Sequence, residues 1–315
     1  MGLGLQLLGK LGLGSVSRQQ GKPLTDDQVD FYRMSGFIGL DDITTSRDVA
    51  RIRAIAERLI DERVGFDEGA QFEAMGDDEG PSRFIQIFDP QNYAKELNDT
   101  VFIRHSRVIA RQILGPTARL SGMILFYKAP AIGTATPWHQ DEAFYDPQYE
   151  PNYITFWLPL QQVDRTNGCL EFISGSHVLG VLSHDVPNGD HRVHALECVE
   201  GFDPSGAIPW PLAVGGATIH HCRTLHYTRP NESNAPRYSL AAVFDTTPNP
   251  IRRQRYFPWQ AGQKTARQER VRKWRRHGGF VIEFWRGARK LDLRDHGRVV
   301  FYARRLFSRI RSRGG

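Results

Sequence analysis

At 315 residues the chain can hold one large domain or two ordinary ones, and 40% hydrophobic with 24% charged residues excludes a fibrous or wholly disordered polymer. Apolar runs stay short of the roughly 18 residues that a membrane-spanning helix needs. Three cysteines, Cys169, Cys198 and Cys222, are too few for a disulfide framework or a zinc ribbon, so a reducing, cytoplasmic setting is expected.

The net charge of +6 hides a division along the chain. Residues 251–315 carry 20 Lys and Arg against 4 Asp and Glu, whereas the first 250 hold 21 and 31. Three segments are expected: a flexible Gly/Leu-rich end (1–22), a folded body (23–250) and a basic, partly amphipathic extension (251–315).

In the body, Thr25 three residues before Gln28 predicts a capping box that opens a helix running through Met34. Val49, Ile52, Ile55, Ala56, Leu59 and Ile60 recur at helical spacing and predict a second helix over 46–63, with a third over 93–114. From Arg119 onward the character changes to short β-prone runs at 120–127, 153–160, 169–173, 217–227 and 238–244, separated by Gly, Pro, Asn and Asp clusters. Short strands with irregular connections predict an antiparallel sandwich or jelly roll flanked by helices rather than a parallel βαβ sheet.

Trp138-His139-Gln140-Asp141 carries the sharpest local signal. On an extended backbone His139 and Asp141 share a face, an imidazole and a carboxylate converging on one point, which suits a first-row divalent metal. Alone, a His-x-Asp triplet arises often by chance. A second stretch, 215–228, offers His220, His221 and His226; a regular pleat puts His226 on one face with His220, Cys222 and Thr224, and His221 opposite. Two histidines and one carboxylate form the facial triad of non-heme iron(II). Arg237 follows a polar loop eleven residues later, and a hairpin would return its guanidinium beside the metal end, where it could grip a carboxylate.

With these residues assembled, the chain resembles the phytanoyl-CoA dioxygenase family of iron(II)/2-oxoglutarate oxygenases. The resemblance covers roughly 24–248 and rests on Leu24-Thr25-Asp26-Asp27-Gln28-Val29, Ser35-Gly36-Phe37, Lys128-Ala129-Pro130, Trp138-His139-Gln140-Asp141, Asn167-Gly168-Cys169-Leu170, Ser174-Gly175-Ser176-His177, and His226 with Arg237. It implies a double-stranded β-helix (jelly roll, cupin-like) core with N-terminal helices and a basic C-terminal helical extension. It also implies that His139, Asp141 and His226 bind Fe(II), that Arg237 holds the far carboxylate of 2-oxoglutarate, and that Lys128, Thr228 and Trp157 help to hold this cosubstrate. Dioxygen is then the other cosubstrate, succinate and CO2 are products, and an unactivated carbon of a small-molecule, acyl-thioester or lipid-like substrate is hydroxylated. Asp141 stands where related halogenases have Ala or Gly, which favours hydroxylation; Tyr227-Thr228 departs from the family's usual Gly-Ser after the second histidine.

Cys222 is expected to be a buried thiol, and His177, His184, His191 and His194 to be solvated or substrate-facing. In the extension, 298–311 has a helical apolar stripe, and Trp274, Phe284 and Trp285 suit an interface. This segment is expected either to pack on the acidic body or to meet an anionic membrane surface or carrier, whereas nucleic-acid binding is disfavoured for want of a reading module. The competing functional readings are a cupin-like metal-dependent hydrolase or isomerase and a catalytically silent, membrane-associated interaction protein.

Overall fold

The structure is a computed structural model, which describes residues 23–76, 82–251, 255–261, 264–288, 299, 300 and 303. The N-terminal segment 1–22 and most of the helix expected over 298–311 lie outside the described residues.

Helix α1 (Asp26–Ser35) opens with both capping-box bonds, Thr25 Oγ1 accepting from Gln28 N–H and Gln28 Oε1 accepting from Thr25 N–H, and stops at Gly36 with φ +79°. Helix α2 (Ser46–Asp61) starts at the Thr45 cap. Helix α3 (Val101–Leu114) begins later than the predicted 93, because residues 90–99 form two 3-10 turns and Thr100 caps the helix with its hydroxyl on Ile103 N–H.

Eleven strands form two antiparallel sheets: β1 (Phe37–Leu40), β2 (Gln71–Glu73), β3 (Phe84–Phe88), β4 (Arg119–Lys128), β5 (Thr136–His139), β6 (Tyr153–Pro159), β7 (Leu170–Phe172), β8 (Ile208–Trp210), β9 (Ala217–His221), β10 (His226–Thr228) and β11 (Arg237–Asp245). The large sheet runs β1-β9-β6-β11-β4-β3-β2 and the small one β8-β7-β10-β5, a jelly roll. On β6, Ile154, Phe156 and Leu158 join the buried cluster beneath α2 and α3, which supply Ile52, Ile55, Leu59, Phe102, Ile103 and Ile109. The alternate residues Tyr153, Thr155 and Trp157 line the cavity on the other face.

Two expectations are corrected. The hairpin expected between the strands of His226 and Arg237 does not form, because β10 lies in the small sheet and β11 in the large one, where Arg237 pairs with Lys128 instead. The predicted strand 217–227 is two strands in different sheets, so the parity that aligned His226 with His220 does not apply. Thr224 makes the break: its N–H bonds to His221 O in a tight turn, while its hydroxyl donates to Gly36 O at 2.7 Å. The turn carries the chain from the large sheet to the small one.

Beyond the body, α4 (Ala266–Trp274) and α5 (Phe280–Ala288) lie across the cavity mouth. Arg267 donates to Gly69 O and stacks on Phe72 and Phe88, Arg270 donates to Phe66 O, and Arg286 pairs with Glu68 at 2.7 Å. No helix among the described residues is long and apolar enough to cross a membrane.

Candidate active site

His139 ends β5 and His226 begins β10, and the two are direct cross-strand partners with ring centroids 4.1 Å apart. Asp141 follows on a 3-10 turn, Asp141–Phe144. Its Oδ1 lies 3.7 Å from His139 Nε2 and 3.6 Å from His226 Nε2, and three donor atoms of this group fall within 4.8 Å of one another, a set that could hold one metal ion.

The imidazoles are held in the orientation a metal needs. His139 Nδ1 sits 2.8 Å from Pro137 O and His226 Nδ1 2.9 Å from Thr224 O. Carbonyls accept only from N–H, so the Nδ1 atoms carry the protons and the Nε2 lone pairs face Asp141. Burial holds both imidazoles below their usual range, His226 strongly so. Burial would raise the Asp141 carboxyl, yet His226, His220 and His139 outweigh it and keep the carboxylate well below its ordinary value. Neutral rings around an anion are the ligand-ready state.

Asp141 Oδ2 is engaged separately. Thr155 Oγ1 donates to it at 2.9 Å, and His220 Nε2 lies 3.5 Å away. Oδ1 is thereby left for a metal.

Deeper in the roll, Arg237 and Lys128 pair across β11 and β4, and both are buried. Lys128 Nζ donates to Thr228 Oγ1 at 2.6 Å and to Arg229 O; Arg237 Nη1 donates to Ser239 Oγ at 2.8 Å, and its Nε has no partner. Burial, then the neighbouring Arg237, pushes Lys128 well below its usual range, and burial lowers Arg237 to about 9. The Arg237 guanidinium lies 5.6 Å from the Trp157 ring centre. Two buried cations with an orphaned N–H and no carboxylate partner among the described residues suit a carboxylate-bearing ligand.

The metal-type cluster and Arg237 share one cavity of about 1030 Å³, walled by aromatic and aliphatic side chains including Phe88, Ile124, Phe144 and Trp274. Of the four histidines expected to be solvated or substrate-facing, His194 lines this cavity and His191 is exposed. His184 is buried, with Nε2 accepting from Gln140 N–H, and His177 is half-buried, bonding to Arg33 O. Cys222 is buried, and burial raises its thiol beyond the ordinary range. Sequence reasoning overlooked Thr155, although its parity with Trp157 on β6 points it inward. Glu142, fully buried between Arg223 and Arg255, left no local signal.

The profile of the phytanoyl-CoA dioxygenase family matches residues 32–239. The chain belongs to this family. It is similar to a probable alpha-ketoglutarate-dependent hypophosphite dioxygenase of Stutzerimonas stutzeri, 27% identical over 66% of this chain and 74% of the relative. Mouse peroxisomal phytanoyl-CoA dioxygenase is 24% identical over 71% of this chain and 69% of its own length. Among solved structures, EvdO2 from Micromonospora carbonacea var. aurantiaca complexed with 2-oxoglutarate superposes with a TM-score of 0.65 at 28% identity, covering 76% of this chain and 97% of that one. The protein is an iron- and 2-oxoglutarate-dependent dioxygenase with a jelly-roll core.

Proposed function

We propose that this dioxygenase hydroxylates an unactivated carbon of a small-molecule, acyl-thioester or lipid-like substrate, converting 2-oxoglutarate to succinate and CO2. The observation that carries the reading is the pairing of two features in one cavity: the His139, Asp141 and His226 donors, and the uncompensated Arg237 cation, with Lys128 beside it as its cross-strand partner. His139, Asp141 and His226 are the iron ligands. Arg237 anchors the far carboxylate of 2-oxoglutarate through its partnerless Nε–H, Thr228 adds a hydroxyl that Lys128 holds by its own hydrogen bond, and Trp157 flanks the guanidinium.

When bound, ferrous iron and 2-oxoglutarate together supply the oxidative decarboxylation that activates dioxygen. The chain's part is to set ligand geometry, to hold the cosubstrate by a fixed fork and to keep water out of an apolar cavity. Asp141 stands where halogenases of this kind have Ala or Gly and would supply a carboxylate ligand to the iron, which supports hydroxylation as the outcome.

Anaerobic addition of Fe(II) and 2-oxoglutarate should give the visible charge-transfer band of their complex, and admission of air should release succinate. H139A should lose both signals. A wild-type protein that shows neither band nor succinate rules this function out.

A peripheral membrane contact is supported by α5, whose Phe280, Val281, Ile282, Phe284 and Trp285 are each 44–60% exposed within a strongly basic segment. Flotation with anionic but not zwitterionic vesicles is the expected result; flotation with neither removes this contact.

A further inference from the structure

The turn that carries Asp141 is tied down from outside the family-matched region. Glu142, the next residue, is fully buried. Its carboxylate accepts from Arg223 Nε at 2.6 Å and Arg223 Nη2 at 3.3 Å, and from Arg255 Nη1 at 2.7 Å. Arg223 belongs to the turn that delivers His226. Arg255 belongs to the C-terminal extension, beyond residue 239 where the family match ends. It also donates from Nη2 to Tyr149 O at 2.8 Å and from Nε to Pro147 O at 3.2 Å. Two further side chains of the extension close on the same turn: Trp259 Nε1 donates to Ala143 O at 3.0 Å, and Gln260 Nε2 donates to Ala143 O and Tyr145 O at 2.8 and 2.7 Å.

A one-turn 3-10 helix has little cooperative stability of its own. Six hydrogen bonds from Arg255, Trp259 and Gln260, five of them to backbone carbonyls of residues 143–149 and one to a buried carboxylate, therefore do much to fix its position. On the other side Gln140, also fully buried, donates to Gly180 O and Arg223 O and accepts from Leu182 N–H. Asp141 thus projects between two immobilised neighbours.

Resting on the oxygenase reading above, we propose that Arg255, with Trp259, acts as a positioning residue for the metal site, holding the Asp141 turn in place through Glu142 and the carbonyl of Ala143. The basic extension is then part of the active-site framework. Its interlock also makes the Arg223–Glu142–Arg255 bridge a mechanical link between the turns bearing Asp141 and His226, so that loosening either end disturbs two ligands at once.

The probe is Co(II), titrated anaerobically and followed by its visible ligand-field bands, with hydrogen exchange of residues 141–145 measured on the metal-free protein. R255A should weaken Co(II) binding about tenfold, the low end of what losing a supporting partner of a metal ligand costs, and should speed exchange of the turn. R255K, keeping one donor, should recover part of both. R270A, which loosens α4 from Phe66 without touching the Asp141 turn, should leave Co(II) affinity within about twofold, a bound small beside that loss. If far-UV circular dichroism shows that R255A does not fold, W259F carries the test, since it deletes the indole donor to Ala143 while keeping an aromatic ring beside Phe257 and His184, and faster exchange with several-fold weaker Co(II) binding is expected. Wild-type affinity and exchange in folded R255A, or in W259F where R255A fails to fold, overturn the proposal. A wild-type protein that binds no Co(II) instead removes the oxygenase reading, and the clamp is then judged on exchange alone.

Discussion

Thr155 and His220 are direct partners across β6 and β9, and both side chains reach the same oxygen of Asp141, at 2.9 and 3.5 Å. A flat sheet face thereby orients a carboxylate that arrives from a separate turn. Because Thr155 takes up Oδ2, Oδ1 is the oxygen that faces the two histidines.

Replacing Thr155 by valine keeps the shape and deletes the donor. T155V should weaken Fe(II) or Co(II) binding by about tenfold, while global stability changes by only about 1 kcal/mol, the worth of one hydrogen bond. Metal titration beside urea denaturation checks the split; equal affinity with lower stability would assign Thr155 to the core alone.

Arg237 and Lys128 are buried without a carboxylate partner among the described residues, so 2-oxoglutarate should stabilise the fold, by about 2.7 kcal/mol at a hundredfold excess over Kd. R237A should raise the 2-oxoglutarate concentration needed for half-saturation at least thirtyfold, corresponding to roughly 2–5 kcal/mol for loss of a buried charge partner. The same variant should lose the thermal shift at a concentration that saturates the wild type. Thermal melting with and without 2-oxoglutarate measures both.

Three histidines are held neutral: burial lowers His184 and the half-buried His221 to about 4, and burial with Arg267 lowers the half-buried His194 to about 3. A free imidazole titrates near 6.5, so the unfolded chain binds more protons as the pH falls below that value. The stability these groups confer is complete above about pH 6.5 and is lost as the pH falls through their folded-state values. Denaturation midpoints should therefore drop steadily between pH 6.5 and 4, and H194Q should flatten part of that slope. An unchanged slope in H194Q would show that His194 is already protonated in the fold.

Gly39 on β1 leaves no room for a side chain: a Cβ there would fall 1.7 Å from Trp210 Nε1. Trp210 cannot retreat easily, since it packs edge-on against Phe37 and tilted against Phe31. G39A should cost about 1–3 kcal/mol through overpacking, read as a lower urea midpoint with an unchanged m-value.

The local elements were legible because local chemistry dictates them. The Thr25–Gln28 capping box, the apolar stripe of α2, the β-prone run of β6 and the His139-Gln140-Asp141 triplet each depend on residues a few positions apart. Side-chain period and capping geometry need no distant partner, and the resemblance to the oxygenase family added Lys128, Thr228 and Trp157 to the set. Where the chain must leave one sheet for another, period alone misleads: 217–227 has an unbroken β-prone composition, and the break is made by a tight turn that Thr224 ties to Gly36, 188 positions away.

Long-range contacts decided the rest. That Thr155 and His220 share Asp141, that Glu142 is enclosed by Arg223 and Arg255, and that α4 and α5 lie across the cavity mouth all join segments tens to hundreds of residues apart. No spacing rule encodes such meetings, because they follow from how two sheets close on each other and from which charges that closure leaves out of water. Residue types and their periods determined the strands, helices and candidate donors; the closing of the roll determined which donors face one another.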